Sequence, residues 1–201
     1  MGKFILFVAL NILYYYERAK SLQRQGGFSQ FLKLIFGIYG AFILALIIYQ
    51  AKIGPAENQD LKQLVVALAC LHGLMMAYND YRTGNFYLCD LYWLLGHGIF
   101  YLFLEKNYWI VLGSLFTYLF FYGIEKIFHG FGNGDKDFAA TLALFSSTNM
   151  DTYFYLTASF VLAGLVAVFG IVFFKWQRSK KISFGPFIMA GWILMKLWKG
   201  A

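Results

Sequence analysis

The side chains able to do chemistry in this chain are few. Among 201 residues there are 10 Asp and Glu, 3 His and 2 Cys. Two of the acids stand in conspicuous places. Asp80 closes an apolar run in Met75-Met76-Ala77-Tyr78-Asn79-Asp80, and Asp135 ends the glycine-rich turn Gly132-Asn133-Gly134-Asp135. Two carboxylates that share a site cannot both ionise, so one keeps a proton while the other acts as a base. Such a pair suits peptide hydrolysis: the base activates a water, and the acid polarises the scissile carbonyl and then protonates the leaving amine. Gly132 and Gly134 add a backbone reason, because a segment without Cβ atoms lets an extended substrate come close. Chance alone yields a Gly-x-Gly-acid match in about one such chain in ten. The alternative is a Gly-Asn-Gly turn with Asp135 capping the next helix.

A second constellation competes. Asp90 lies ten residues beyond Asp80, about 15 Å further along a helix, and His97 follows on the same face. An Asp–His pair inside an apolar run is what a proton-coupled small-solute transporter would use; a polar packing contact between helices is the other reading. His72 and His129 read as packing and interfacial residues. Three scattered His with no paired spacing predict no metal. Cys70 and Cys89 fall in apolar runs without a CxxC pattern, and are expected to be buried, reduced thiols.

The elements that position these groups follow from composition. The chain is 60% hydrophobic, 21% aromatic and 13% charged, about half the charge of an ordinary soluble domain. That excludes a soluble globule, a disordered chain and a disulfide-rich secreted domain. Apolar runs predict an all-α, polytopic membrane helix bundle, a single integral-membrane domain over 1–201 with about eight transmembrane segments (six to eight). The expected spans are 3–20, 31–50, 63–79, 87–104, 108–128, 137–149, 153–174 and 182–198, the first and sixth being short. Lys3 and the run Phe4–Tyr16 resemble a signal peptide, but Glu17-Arg18-Ala19-Lys20 follows in place of a small-x-small site, which predicts a retained anchor. Tyr14, Tyr15, Tyr16, Trp109, Trp176 and Trp198 fall at span ends and suit interfacial anchoring.

Basic residues set the orientation. Arg18, Lys20, Arg24, Lys33, Arg82, Lys126, Lys136, Lys175, Arg178, Lys180 and Lys181 fall on one side; Lys3, Lys52, Lys62, Lys106, Lys196 and Lys199 fall on the other. The richer side is expected in the cytoplasm, and it carries Asp80 and Asp135. The net charge of +7 therefore reads as topology and attraction to the lipid bilayer. A nucleic-acid role would need a soluble reading platform, and no such insert is seen.

Taken together, the chain resembles the type IV prepilin peptidases, membrane aspartic proteases of the Gly-x-Gly-Asp class. Asp80, followed by Arg82-Thr83-Gly84-Asn85-Phe86, is similar to the first acid motif of that family. Gly132-Asn133-Gly134-Asp135 is similar to the second, and Ile182-Ser183-Phe184-Gly185-Pro186-Phe187 to its Phe-Gly-Pro patch. The likeness covers roughly residues 63–198. The first motif lacks the proline common after the acid, Lys136-Asp137 stands where many relatives have an apolar residue and then Lys, and residues 17–33 hold no Cys, as in compact members. The resemblance implies a membrane-embedded aspartic endopeptidase with Asp80 and Asp135 as catalytic pair. Its substrate would be the basic leader of a prepilin or pseudopilin, cleaved at the cytoplasmic face of the cell membrane. Glu125 and Asp137 are possible contacts for that leader. No cofactor is implied for proteolysis; S-adenosylmethionine would be needed only if N-methylation of the product accompanies it. A membrane scaffold that binds pilin-like helices without cutting them is a further alternative.

Overall fold

The computed structural model describes residues 58–128, 132–177 and 182–200; the expected spans 3–20 and 31–50, and Tyr14 to Tyr16, lie outside them. The chain divides into two compact units, 1–61 and 62–201. Six helices account for the regular structure among the described residues: α1 (Asn58–Thr83), α2 (Leu88–Glu105), α3 (Ile110–Phe128), α4 (Asn133–Ala143), α5 (Asn149–Phe174) and α6 (Gly185–Gly200). All six belong to the second unit, apart from the opening residues of α1.

Their ends follow from local chemistry. Gly84 takes φ 68° and closes α1, its N–H donating to the Asp80 carbonyl at 2.7 Å; a left-handed residue is the ordinary helix stop. Lys106 and Lys175 do the same for α2 and α5 at φ 58° and 53°. The start of α5 is a reciprocal cap. Thr148 Oγ1 accepts the Asp151 N–H at 3.3 Å, and Asp151 Oδ2 accepts the N–H groups of Thr148 and Ser147 at 2.8 and 2.9 Å.

Ion pairs join the helices at one end of the bundle. Lys62 meets Glu105 at 2.8 Å, tying the start of α1 to the end of α2, and Lys199 meets Asp151 at 2.5 Å, tying the end of α6 to the start of α5. Asn107, between α2 and α3, donates to the Ser147 carbonyl at 3.1 Å. Consecutive helices thus run in alternating directions. The opposite end gathers the C-terminus of α1 and the N-termini of α4 and α6.

Among the described residues, three helices are long and apolar enough to cross a membrane: Lys62–Thr83, Ile110–Ile127 and Asn149–Phe174. Their outer faces fit that role. Leu115, Leu119, Val168, Val172 and Phe173 are exposed on α3 and α5, apolar side chains of the kind that a lipid phase covers. Trp109 and Trp198, at helix ends, are also exposed, 73% and 75%. The sequence predicts six crossing segments over 63–198, and among the described residues half that number qualify. The expected span 87–104 is interrupted in hydropathy by Asp90 and His97. The expected span 182–198 is a helix of 16 residues, short of the ~20 that a crossing needs.

The expected span 137–149 departs furthest. Its helix is Asn133–Ala143, 11 residues, and rises only about 16 Å. It is enclosed by protein: Phe138, Ala139, Leu142 and Ala143 are fully buried, and α4 packs on α2, α3 and α6. Its carbonyls are served by neighbours. Ser114 on α3 donates to Ala140 O at 2.7 Å, Tyr155 on α5 to Ala139 O at 2.6 Å, and Trp192 on α6 to Leu142 O at 3.1 Å. A helix terminus inside the bundle requires such partners. Of the thiols, Cys70 is half-buried but Cys89 is exposed, and both are free; the expectation of burial fails for Cys89, which lies beside the exposed Leu88 on the first turn of α2.

Candidate active site

Asp80 sits in the last turn of α1 and Asp135 in the first turn of α4, each 5% exposed. Both line one cavity of about 230 Å³, together with Gly132, Gly134, Asn85, Phe86 and Asp137. Five chain segments contribute: the end of α1, the turn into α2, the first turn of α2 with Leu88 and Leu91, the turn before α4, and α4 itself.

The two carboxyl groups are held differently. Asp135 Oδ2 accepts the Gly132 N–H at 2.9 Å, so the carboxyl caps its own helix, while Oδ1 is buried with no hydrogen-bond partner. The sequence alternatives, helix cap and reactive acid, are therefore compatible: one oxygen caps and the other is left over. Asp135 lies outside the three helices able to cross a membrane, and its pKa is pushed up to about 7. Burial is the main cause, the Asp80 charge adds to it, and the Gly132 N–H opposes both. Asp80 has its partners on α6 and just ahead of it. Its Oδ2 accepts the N–H of Gly185 at 2.9 Å and the hydroxyl of Ser183. Gly185 is the first residue of α6, where backbone N–H groups lack an intrahelical acceptor and the helix dipole favours negative charge.

Two close approaches explain why glycine stands at 134 and 185. The ring of Phe86 lies between the starts of α4 and α6 and packs on Phe138 with centroids 5.1 Å apart. A Cβ at Gly134 would run into that ring. A Cβ at Gly185 would stand 2.6 Å from Asp80 Oδ2 and 2.7 Å from Phe86 Cζ. Pro186 follows at a helix start, where its missing N–H costs nothing.

The other expected residues separate into those at the cavity and those away from it. Gly132, Gly134 and Asp137 line the acid cavity; Glu125 does not, and pairs with Lys136 at 2.8 Å. Asp90 and His97 are both buried on α2, and neither lines the cavity. His97 Nδ1 donates to the Trp93 carbonyl at 2.7 Å, and its ring lies edge-on to His72 at 5.9 Å. Among the described residues no group of three or more His, Cys, Asp or Glu could hold a metal ion.

Ser183 and Phe86 stand inside the sequence motifs, but sequence reasoning assigns them no role. The only signal for Ser183 is a hydroxyl residue just ahead of a Gly-Pro helix start. For Phe86 it is an apolar ring that follows Gly84 and Asn85 in the turn between α1 and α2.

Among the described residues the chain is thus an all-helical bundle with three helices long and apolar enough to span a membrane and two buried carboxyl groups lining one cavity. Comparison with protein-family models, with curated proteins and with solved structures returns no match.

Proposed function

We propose that the protein is a membrane-embedded aspartic endopeptidase that removes the basic leader of type IV prepilins or pseudopilins. The observation that carries this is the shared cavity: Asp80 and Asp135 line it together, both buried, and burial with the Asp80 charge pushes the Asp135 carboxyl up to about 7. Asp135 is the proton donor and Asp80 the base. Asp80 receives two donors on one oxygen, an arrangement that suits an acceptor carrying charge. It takes a proton from water as the water attacks the scissile carbonyl. Asp135 gives its proton to that carbonyl oxygen; as the tetrahedral intermediate collapses, Asp80 passes the proton taken from water to the leaving amine, and the intermediate's hydroxyl returns a proton to Asp135. No cofactor enters these steps. The likeness to the Gly-x-Gly-Asp family supports the substrate class.

Arg82 and Lys136, next to Asp80 and Asp135 in the chain, belong to the side rich in Lys and Arg. By the positive-inside rule that side is the cytoplasm, so the leader reaches the acids from the cytoplasmic face of the cell membrane. Asp137 lines the cavity with a carboxylate that a basic leader would meet; Glu125 is engaged by Lys136 and is a weaker contact. S-adenosylmethionine belongs to the scheme only if the new N-terminus is methylated.

The deciding experiment is co-expression with a prepilin and mass spectrometry of the pilin N-terminus. Leader removal by the wild type and its loss in both Asp80→Asn and Asp135→Asn, each still present in the membrane fraction, is the expected result. Cleavage by either variant overturns the assignment. Solute uptake that depends on Asp90 and persists in Asp80→Asn would favour the transporter.

A further inference from the structure

We propose that Ser183 is the positioning residue of the acid pair, its hydroxyl fixing the direction in which the Asp80 carboxylate faces the attacking water. The inference rests on the peptidase reading and adds to it a residue that touches neither substrate nor water. The terminal torsion of an Asp side chain is broad and roughly two-fold, so burial alone leaves the carboxyl plane free to swing. Two donors from different points of the chain, Ser183 Oγ and Gly185 N, converge on Oδ2 and remove that freedom. The second oxygen is thereby assigned to the cavity.

The hydroxyl is not serving its own helix. A serine ahead of a helix usually accepts a hydrogen bond from the first-turn N–H groups. Here the start of α6 is closed by the Phe184 carbonyl, which accepts from Phe187 and Ile188 at 3.0 and 3.1 Å, and Ser183 donates outward to α1. The backbone donor at 185 is independent of side-chain identity, whereas the second donor depends on a hydroxyl at 183. Geometry held this closely matters to rate: a misplacement of about 1 Å costs on the order of 100-fold.

The test uses the full chain in proteoliposomes with a purified prepilin as substrate. Wild type is compared with Ser183→Ala, Ser183→Cys and Ser183→Thr, and with Asp80→Asn and Asp135→Asn in the same preparation. Expected is a kcat lowered about 10- to 100-fold in Ser183→Ala with KM within about twofold, an intermediate kcat for the weakly donating Cys, and a rate restored by Thr. A purely structural role would lower the Thr and Ala variants alike or raise KM, and either outcome overturns the proposal. Wild-type kcat in Ser183→Ala while both Asn variants are inactive refutes the role of Ser183 and leaves the peptidase reading standing. Cleavage by an Asn variant refutes the peptidase reading and this inference with it.

Discussion

Replacing Asp135 by Asn separates the chemical role of this residue from its effect on folding, because the two move in opposite directions. Asp135 has its pKa raised from 3.8 to about 7 in the folded protein, chiefly by burial and secondly by the charge of Asp80. Between those values the folded chain binds a proton that the unfolded chain has released, so stability falls as pH rises through that window. Above pH 7 the loss is complete and amounts to about 4 kcal/mol. Asparagine is neutral at every pH, keeps an oxygen for the Gly132 N–H, and escapes the penalty. Asp135→Asn is therefore expected to be inactive yet more stable than wild type above pH 7, with the advantage vanishing near pH 4. Taking about 2–4 °C per kcal/mol for a chain of this size, the gain in Tm at pH 8.5 is roughly 8–16 °C. The assay is thermal unfolding of both proteins in the same detergent at intervals from pH 4.5 to 8.5. Every other titrating group is common to both, so the difference curve reports residue 135 together with its coupling to Asp80. A difference in Tm that does not change with pH would refute the assignment of a raised pKa to Asp135.

Cleavage by the wild type should decline as pH rises above 7, because Asp135 then lacks the proton it donates; an undiminished rate at pH 9 would contradict its role as the acid. Gly185→Ala should abolish leader cleavage and destabilise the chain by about 1–3 kcal/mol, since its Cβ meets both Asp80 and Phe86; circular dichroism with thermal melting measures the second effect. Gly134→Ala should be partly rescued by Phe86→Leu, and a double-mutant cycle showing strict additivity would argue against their contact. Asp151→Ala removes the acceptor for Ser147 and Thr148 and the partner of Lys199. It should cost about 1–2 kcal/mol of stability while leaving kcat unchanged.

Hydropathy marks the helices well but only their apolar middles. The run 63–79 belongs to a helix extending from Asn58 to Thr83, because Asn, Asp, Gln and Arg continue a helix without adding hydrophobicity. The run 137–149 misleads for the opposite reason. Leu144, Phe145 and Ser146 are buried in the turn between α4 and α5, so apolar character there reports enclosure by protein and not helix. The meeting of Asp80 and Asp135 in one cavity follows from where each acid stands at the end of its run, and is legible in the chain. Ser183 is not, since its bond to Asp80 spans 103 positions and no local period encodes it. Glu125 reads from sequence as available for a leader, but Lys136, 11 residues on, engages it.

The same long reach has a consequence for biosynthesis. A ribosome adds about 5–20 residues per second, so Asp80 is made roughly 5–20 s before the serine that orients it. Until α6 docks, the Asp80 carboxylate has neither Ser183 nor Gly185 as a donor. While the chain is being made, the surroundings of Asp80 are thus incomplete until Ser183 and Gly185 emerge and α6 docks. On the peptidase reading, shortened chains that stop before Ser183 would retain both acids and be inert.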